Sequence, residues 1–364
     1  MELRFVERKE LKQKPKASEL TFGTQFTDYM FVMDYEEGKG WYNPSIVPYE
    51  KIEIDPSAMV FHYAQADFEG MKAYRTPEGK VNLFRPEKNM ERLNMSNERL
   101  CIPQFDEAFA LKAIEQLVAL EADWIPDAPD TSLYIRPFII ATDPFLGVRP
   151  SMTYKFMVIM SPVGPYYKEG INPVSIHVET EYVRAVRGGV GNAKAAGNYA
   201  ASIKAQMAAK AKGFAQVLWL DAIERKYVEE VGTMNIFFNI DGKIVTPALS
   251  GSILPGITRD SVITFLRESG YEVEERKISI DEVYQASHDG KLQEVFGTGT
   301  AAVISPVGKL SYKGELIEIN NMLIGDTCKK IYETITGIQN GTVADTYGWI
   351  TQFEKTSVDQ LTLV

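Results

Sequence analysis

The chain has 364 residues, 45% hydrophobic and 24% charged, with a formal net charge of −10. That size suits two domains, the composition suits a soluble globular protein, and the acidic balance argues against nucleic acid, whose phosphates need a basic face. No apolar run approaches the roughly 18 residues of a membrane span, and the opening stretch through Leu20 is too charged for a signal peptide, so no membrane partner and a cytoplasmic setting are expected.

In chain order, residues 61–68 are apolar and read as a strand running into a turn at Glu69-Gly70. A short strand follows at 81–84, and residues 88–100 have helical spacing. Asp106 looks like the N-cap of a helix running through Trp124, with Leu111, Ile114, Leu117 and Val118 as its apolar stripe. Residues 133–142 and 155–160 are rich in β-formers. The stretch PVGPYYKEGINP from Pro162 concentrates proline and glycine, which marks a linker. Beyond it, residues 199–212 form an alanine-rich helix stopped by Gly213. Strands are expected at 217–220, 235–240 and 243–245, a helix at 258–268, strands at 294–296 and 302–304, and a last helix within 320–338. Both halves mix helix and sheet without the regular alternation of a doubly wound fold.

Cys101 and Cys328 stand far apart, and His62, His177 and His288 are scattered. Neither set has the spacing of a zinc site or the density of a disulfide framework, so no metal is expected.

The segment from Arg187 to Tyr199 sets Lys194 among alanines, with three glycines upstream and Gly197 downstream. Small neighbours let a planar ligand approach the backbone, and they strip a lysine of hydration. Imine formation needs that, because only a neutral amine attacks a carbonyl. Taken alone, the same texture also suits a flexible surface loop. Glu229-Glu230-Val231-Gly232-Thr233 lies between two β-rich runs, so Glu230 can be aimed into a cleft or left solvated. A carboxylate against a protonated ring nitrogen at about 4 Å is worth roughly 4 kcal/mol at an effective dielectric of about 20. Leu254-Pro255-Gly256-Ile257-Thr258 is a tight turn opening a helix, either a phosphate site or an ordinary helix entry. Gly297-Thr298-Gly299-Thr300-Ala301-Ala302 matches the dinucleotide fingerprint in form only. A strand broken by Pro306 follows where that motif needs a helix, so a turn offering amides and hydroxyls to an anion fits better.

Together these segments resemble the branched-chain amino acid aminotransferases of the fold type IV pyridoxal-phosphate enzymes. The likeness runs from Phe22-Gly23-Thr24 to Tyr347-Gly348-Trp349. It includes HYAQADFEGMKAY from His62, LFRPEKNMERL from Leu83, TSLYIRP from Thr131 and GGVGNAKAAGNYA from Gly188. VGTMNIF from Val231, LPGITR from Leu254 and EVFGTGTA from Glu294 complete the series.

The resemblance implies a mixed α/β (α+β) two-domain fold. Residues 1–163 would form a small N-terminal domain, 164–174 a linker, and 175–364 a larger cofactor-binding domain with a β-barrel-like core. It implies pyridoxal 5'-phosphate held covalently by Lys194, which also moves the substrate α-proton. Glu230 would take the ring nitrogen and Tyr199 the ring hydroxyl oxygen. Arg92, Ile257, Thr258 and Thr300 would hold the phosphate, with Thr233, Leu254, Gly256 and Gly299 also against the cofactor. Phe22, Tyr63, Phe68, Tyr134 and Tyr166 would wall the pocket for a branched side chain, and Arg136 would hold the distal carboxylate of glutamate or 2-oxoglutarate. Amides of Thr300 and Ala301 would take the substrate α-carboxylate, and Val148 would reach a partner subunit's site, implying a homodimer. The expected reaction is ping-pong exchange between L-leucine, L-isoleucine or L-valine and 2-oxoglutarate. Mammalian members carry a redox-active cysteine pair just after this turn. Here the stretch is Ala302-Val303-Ile304-Ser305, so no thiol regulation of that kind is expected. D-amino acid aminotransferases and aminodeoxychorismate lyases share the fold, and a non-catalytic anion- or nucleotide-binding protein is the alternative from another class.

Overall fold

The computed structural model of the chain describes residues 1–164 and 171–358. The chain divides into two compact units, one of Met1–Lys168, Ala193–Ala196 and Gly337–Val364, the other of Glu169–Asn192 and Gly197–Thr336.

Among its described residues, the first unit carries strands β1 (Arg4–Phe5), β2 (Tyr29–Glu36), β3 (Gly40–Pro48), β4 (Ala66–Phe68), β5 (Met71–Arg75), β6 (Val81–Phe84), β7 (Ser132–Ala141) and β8 (Thr153–Val163). These form one sheet in the order β1-β3-β2-β8-β7-β5-β6, with β4 paired to β7. The longest ladder is β7 with β8, antiparallel from Ser132↔Val163 to Ala141↔Tyr154. Alternation along β7 buries Leu133, Ile135, Ile139 and Ala141. It therefore turns Tyr134 and Arg136 to the opposite face.

Helices α1 (Met59–Tyr63), α2 (Pro86–Leu100) and α3 (Glu107–Leu120) belong to this unit. Pro86 starts α2 at a position where its missing N–H costs nothing. Asp106 caps α3 as expected, its Oδ1 accepting from the Phe109 N–H at 3.0 Å. Ile114, Leu117 and Val118 are fully buried in one core with Phe31, Leu83, Leu93 and Phe156. The α-helix ends at Leu120 rather than Trp124; residues Ala122–Trp124 continue as a 3-10 turn. The apolar run at 61–68 is not one strand. Its first part lies in α1, and only Ala66–Phe68 pair with β7. Ala64 takes a left-handed conformation between them and breaks the extended run.

The second unit carries β9 (Val174–Val178), β10 (Gln216–Leu220), β11 (Val228–Val231), β12 (Asn235–Ile240), β13 (Lys243–Pro247), β14 (Val273–Arg276), β15 (Leu292–Gly299), β16 (Val303–Tyr312) and β17 (Glu315–Glu318). Its sheet runs β11-β10-β9-β16-β15-β12-β13-β14, with β17 on β16. Trp219, Phe237 and Phe296 are fully buried in it, the two phenylalanine rings stacked with centroids 5.3 Å apart. Helices α4 (Ala196–Ala211), α5 (Ile257–Glu268), α6 (Ile280–His288) and α7 (Asp326–Asn340) complete the set.

The N-terminus of α7 is capped from a distance. Glu294 on β15 accepts from the N–H groups of Thr327 at 3.1 Å and Cys328 at 2.9 Å. Gly325 makes room for that carboxylate, since a Cβ there would lie 2.0 Å from Glu294 Cδ. Glu294→Ala leaves two helix-start donors unmet and is expected to cost about 1–3 kcal/mol, read as a lower denaturant midpoint.

The expected range 175–364 for the second domain does not follow the grouping of the chain. β18 (Ile350–Phe353) pairs antiparallel with β6, so the segment from Gly337 groups with the first unit. Ala193–Ala196 do so as well, through the bridge Asp67↔Ala195. Of the expected linker, residues 165–170 lie outside the described residues.

Candidate active site

In the first unit, the lysine is fixed by its backbone. The Lys194 N–H donates to Ser96 Oγ on α2 at 2.9 Å, and its carbonyl accepts from the Phe68 N–H at 3.2 Å. Its Nζ lies 4.9 Å from the centroid of the Phe68 ring. Phe68 also stacks on Arg136, whose guanidinium carbon is 4.5 Å from the ring centroid. Arg136 Nη2 donates to the Tyr134 hydroxyl at 2.9 Å, and the Tyr134 ring meets Phe22 edge-on at 4.9 Å. Five expected residues thus form one continuous cluster. Gly70 permits it: a Cβ there would sit 2.2 Å from the Tyr134 hydroxyl.

Tyr63 lies apart from this chain of contacts and donates its hydroxyl to the Leu146 carbonyl. Val148, on the same loop, is 86% exposed. Tyr166 lies outside the described residues.

Arg92 on α2 is engaged by a residue not singled out in the sequence. Its Nε and Nη2 reach the two oxygens of Glu69 at 2.7 and 2.9 Å, and Asn89 Nδ2 donates to the same carboxylate at 2.7 Å. Burial alone would raise the Glu69 carboxyl. The Arg92 charge and hydrogen bonds, the Lys194 charge and Asn89 outweigh it and hold the carboxyl below its ordinary range. The sequence signal was the Glu69-Gly70 pair, whose turn-like look concealed the carboxylate's partner.

In the second unit, a cleft is lined by Arg184, Asn198, Tyr199, Ser202, Glu230, Gly232, Thr233 and Leu254. Glu230 is 2% exposed. One oxygen receives Arg184 Nε at 2.8 Å, and the other accepts from the Leu254 N–H at 2.7 Å. Its neighbour Glu229 hydrogen-bonds instead to the Ser252 hydroxyl, and burial pushes its carboxyl above the ordinary range. Gly232 closes the turn after β11 at φ +58°, where a Cβ would lie 2.2 Å from Gln216 Oε1.

Helix α5 opens beside this cleft with Gly256 as N-cap and no side-chain cap. A Cβ at Gly256 would lie 2.0 Å from Asn235 Oδ1, while Asn235 Nδ2 donates to the Leu254 carbonyl at 3.0 Å. The first-turn amides, at Ile257 and Thr258, are thus presented as anion donors. Thr300 and Ala301 occupy the turn of the β15–β16 hairpin. Gly297 and Gly299 pack on Met234, with added Cβ atoms 3.0 and 3.1 Å from its side chain. A strand follows this turn, so the dinucleotide reading fails on structure as it did on sequence.

These groups suit pyridoxal phosphate: a buried carboxylate and a phenol for the ring, and an uncapped helix start for the phosphate. Arg184, Asn198 and Ser202 line the cleft without having been found in the sequence. Arg184 had no local signal, because its carboxylate partner lies on a distant strand.

Comparison with known proteins agrees with this geometry. The family described as Amino-transferase class IV matches residues 67–310. The chain is 64% identical over 341 residues, 94% of each chain, to the Branched-chain-amino-acid aminotransferase 2 of Bacillus subtilis (strain 168). A solved branched-chain amino acid aminotransferase of Escherichia coli matches with a TM-score of 0.74 at 27% identity, over 89% of this chain and 99% of that one. The branched-chain aminotransferase of the thermophilic archaeon Thermoproteus uzoniensis, solved with norvaline, matches with a TM-score of 0.73 at 27% identity, over 89% and 99%. Carboxylate, phenol, open helix start and backbone-fixed lysine, carried by a sequence this similar, lead to one assignment: the chain belongs to the pyridoxal-phosphate-dependent class IV aminotransferases of fold type IV, among the branched-chain-amino-acid aminotransferases.

Proposed function

We propose that the protein exchanges amino groups between L-leucine, L-isoleucine or L-valine and 2-oxoglutarate, as a cytoplasmic homodimer using Lys194 as its catalytic amine. The observation that carries this reading is the cleft of the second unit, lined by buried Glu230 and half-buried Tyr199. When bound, pyridoxal phosphate supplies an electron-withdrawing ring that lets the substrate α-proton leave. Lys194 would hold the cofactor, take that proton from the α-carbon at Nζ and deliver it to the cofactor carbon that carries the nitrogen. Glu230 keeps a proton at the ring nitrogen, and Tyr199 donates to the ring hydroxyl oxygen. Arg92, Ile257, Thr258 and Thr300 hold the phosphate, with Gly256 and Gly299 allowing close approach and Thr233 and Leu254 packing against the cofactor. In this assignment Glu69 fixes the plane of Arg92, which a bidentate pair does better than a point charge.

The substrate α-carboxylate goes to the Thr300 and Ala301 amides. Phe22, Tyr63, Phe68, Tyr134 and Tyr166 supply apolar wall for a branched side chain, and Val148 reaches the partner subunit's site. Arg136, held by the Tyr134 hydroxyl and lying on Phe68, takes the distal carboxylate of glutamate. One pocket then serves both substrates, with apolar walls for one and a guanidinium at the rim for the other.

Parallel double-reciprocal plots with L-leucine and 2-oxoglutarate test the exchange, and activity on D-alanine or aminodeoxychorismate instead of L-leucine would overturn it. A monomeric mass by sedimentation would remove the homodimer. Arg136→Met is expected to cut kcat/KM for 2-oxoglutarate by roughly 10- to 150-fold, the worth of a charged hydrogen bond, and that for leucine by under about tenfold. Equal losses for both substrates would exclude the role.

A further inference from the structure

We propose that Arg184 is a positioning residue that sets on which side of the contact between Glu230 and the cofactor ring the shared proton lies, keeping it on the ring nitrogen. This rests on the reading of Glu230 as the ring contact.

Arg184 is 9% exposed and is held at three points. Its Nε meets Glu230 Oε2 at 2.8 Å. Its Nη1 donates to the Ser252 carbonyl at 2.8 Å, and Nη1 and Nη2 both reach the Gly191 carbonyl at 3.3 Å. A planar guanidinium bound on three sides cannot swing away from the carboxylate. Gly191 is required for this arrangement. A Cβ there would lie 2.3 Å from the Ser252 carbonyl oxygen and 2.5 Å from the Ala185 Cβ. Two carbonyls can therefore converge on one cation only because position 191 has no side chain. The site is built around the guanidinium, which pairs directly with the Glu230 carboxylate and whose charge also acts on the Glu229 carboxyl.

A carboxyl group and a pyridine nitrogen share one proton in either of two arrangements. The proton sits on oxygen and the pair is neutral, or it sits on nitrogen and the pair is ionic. The atoms are the same in both; only the O–H and N–H bonds exchange. A fixed cation within about 4–6 Å favours the ionised form of a carboxylate by roughly 10- to 1000-fold. The Leu254 N–H, donating to Glu230 Oε1 at 2.7 Å, acts in the same direction. Together they favour the arrangement that leaves the ring cationic and able to withdraw electrons. Glu230 alone, buried beside an uncharged neighbour, favours the neutral one.

The test uses holoenzyme loaded with ring-nitrogen-labelled pyridoxal phosphate, whose NMR shift separates protonated from unprotonated nitrogen. Wild type is expected at the protonated position. Arg184→Gln, which keeps donors for the carbonyls but removes the charge, is expected to move the proton ratio at least about tenfold toward the unprotonated position. Arg184→Lys is expected to stay on the protonated side while binding the cofactor more weakly. Should Arg184→Gln not fold, Arg184→Met carries the same comparison. An unmoved shift, with only melting temperature and cofactor affinity lowered, would make Arg184 a scaffold residue and overturn the proposal. Glu230→Gln is the control for the underlying reading. If it leaves the ring nitrogen protonated, Glu230 is not the ring contact and the proposal falls for that separate reason.

Discussion

Lys194→Ala is expected to abolish the visible absorbance of the cofactor-loaded protein and to lower kcat by at least about 10²–10⁴-fold, the ordinary worth of a positioned proton-transfer group. In the proposed assignment the covalent hold on the cofactor goes with the same atom, so the loss runs toward the upper end. The fold is expected to survive. What pins this segment is the Lys194 backbone, through Ser96 Oγ and the Phe68 N–H, together with the bridge of Asp67 to Ala195. None of those contacts uses the side chain. A melting temperature within a few degrees of wild type, beside lost turnover, locates the defect in chemistry. A variant with normal turnover, or an adduct found by mass spectrometry on another lysine, would remove Lys194 from its role. Added methylamine offers a second check, since a small amine can replace the missing base but not its positioning.

What could be read in the sequence follows the range of the interactions involved. Asp106 and the α3 stripe were legible because cap and periodicity are local. So was the start of α5 at Gly256, and so was the glycine-bounded hairpin around Thr300. The run at 61–68 misled because an apolar stretch alone cannot tell a short helix from a strand; the pairing of Ala66–Phe68 with β7 decided it. The grouping of the C-terminal segment was hidden for a related reason. β18 joins β6 across most of the chain, and nothing near Ile350 announces that partner. Among the candidate residues, Lys194, Glu230 and Tyr134 lie within family motifs. Glu69 and Arg184 did not stand out, because each matters through a guanidinium or carboxylate far away in sequence.

Glu69 and its neighbour Asp67 make the second large prediction, with opposite signs for two carboxylates on one short stretch. Glu69→Ala strips Arg92 of the carboxylate that takes its Nε and Nη2, and removing one member of a buried pair costs about 3–5 kcal/mol. A fall in melting temperature on the order of 10 °C is expected, together with weaker cofactor binding. A shift under about 2 °C would show that the pair contributes little. Asp67 is 1% exposed, and neither of its oxygens has a hydrogen-bond partner among the described residues. Burial, and then the nearby Glu69 charge, push its carboxyl well above the ordinary range. The folded protein therefore binds that proton more tightly than the unfolded chain does. Its contribution to stability is present below the unfolded value of about pH 4 and is lost as pH rises toward the folded value. Glu69 works the other way, since its carboxyl is held low: its contribution is lost as pH falls. Asp67→Val removes an unmet polar group from the core and is expected to stabilise by roughly 1–3 kcal/mol at neutral pH. That gain should grow as pH rises above the unfolded value of about pH 4 and fall below it to the remainder that does not depend on pH. A gain that is flat across that rise would mean that the carboxyl does not titrate there. Since Glu69 contributes to the rise at Asp67, the two effects are coupled. In a Glu69→Gln background, which keeps the volume and removes the charge, the advantage of Asp67→Val should shrink, and a double-mutant cycle over these positions measures by how much.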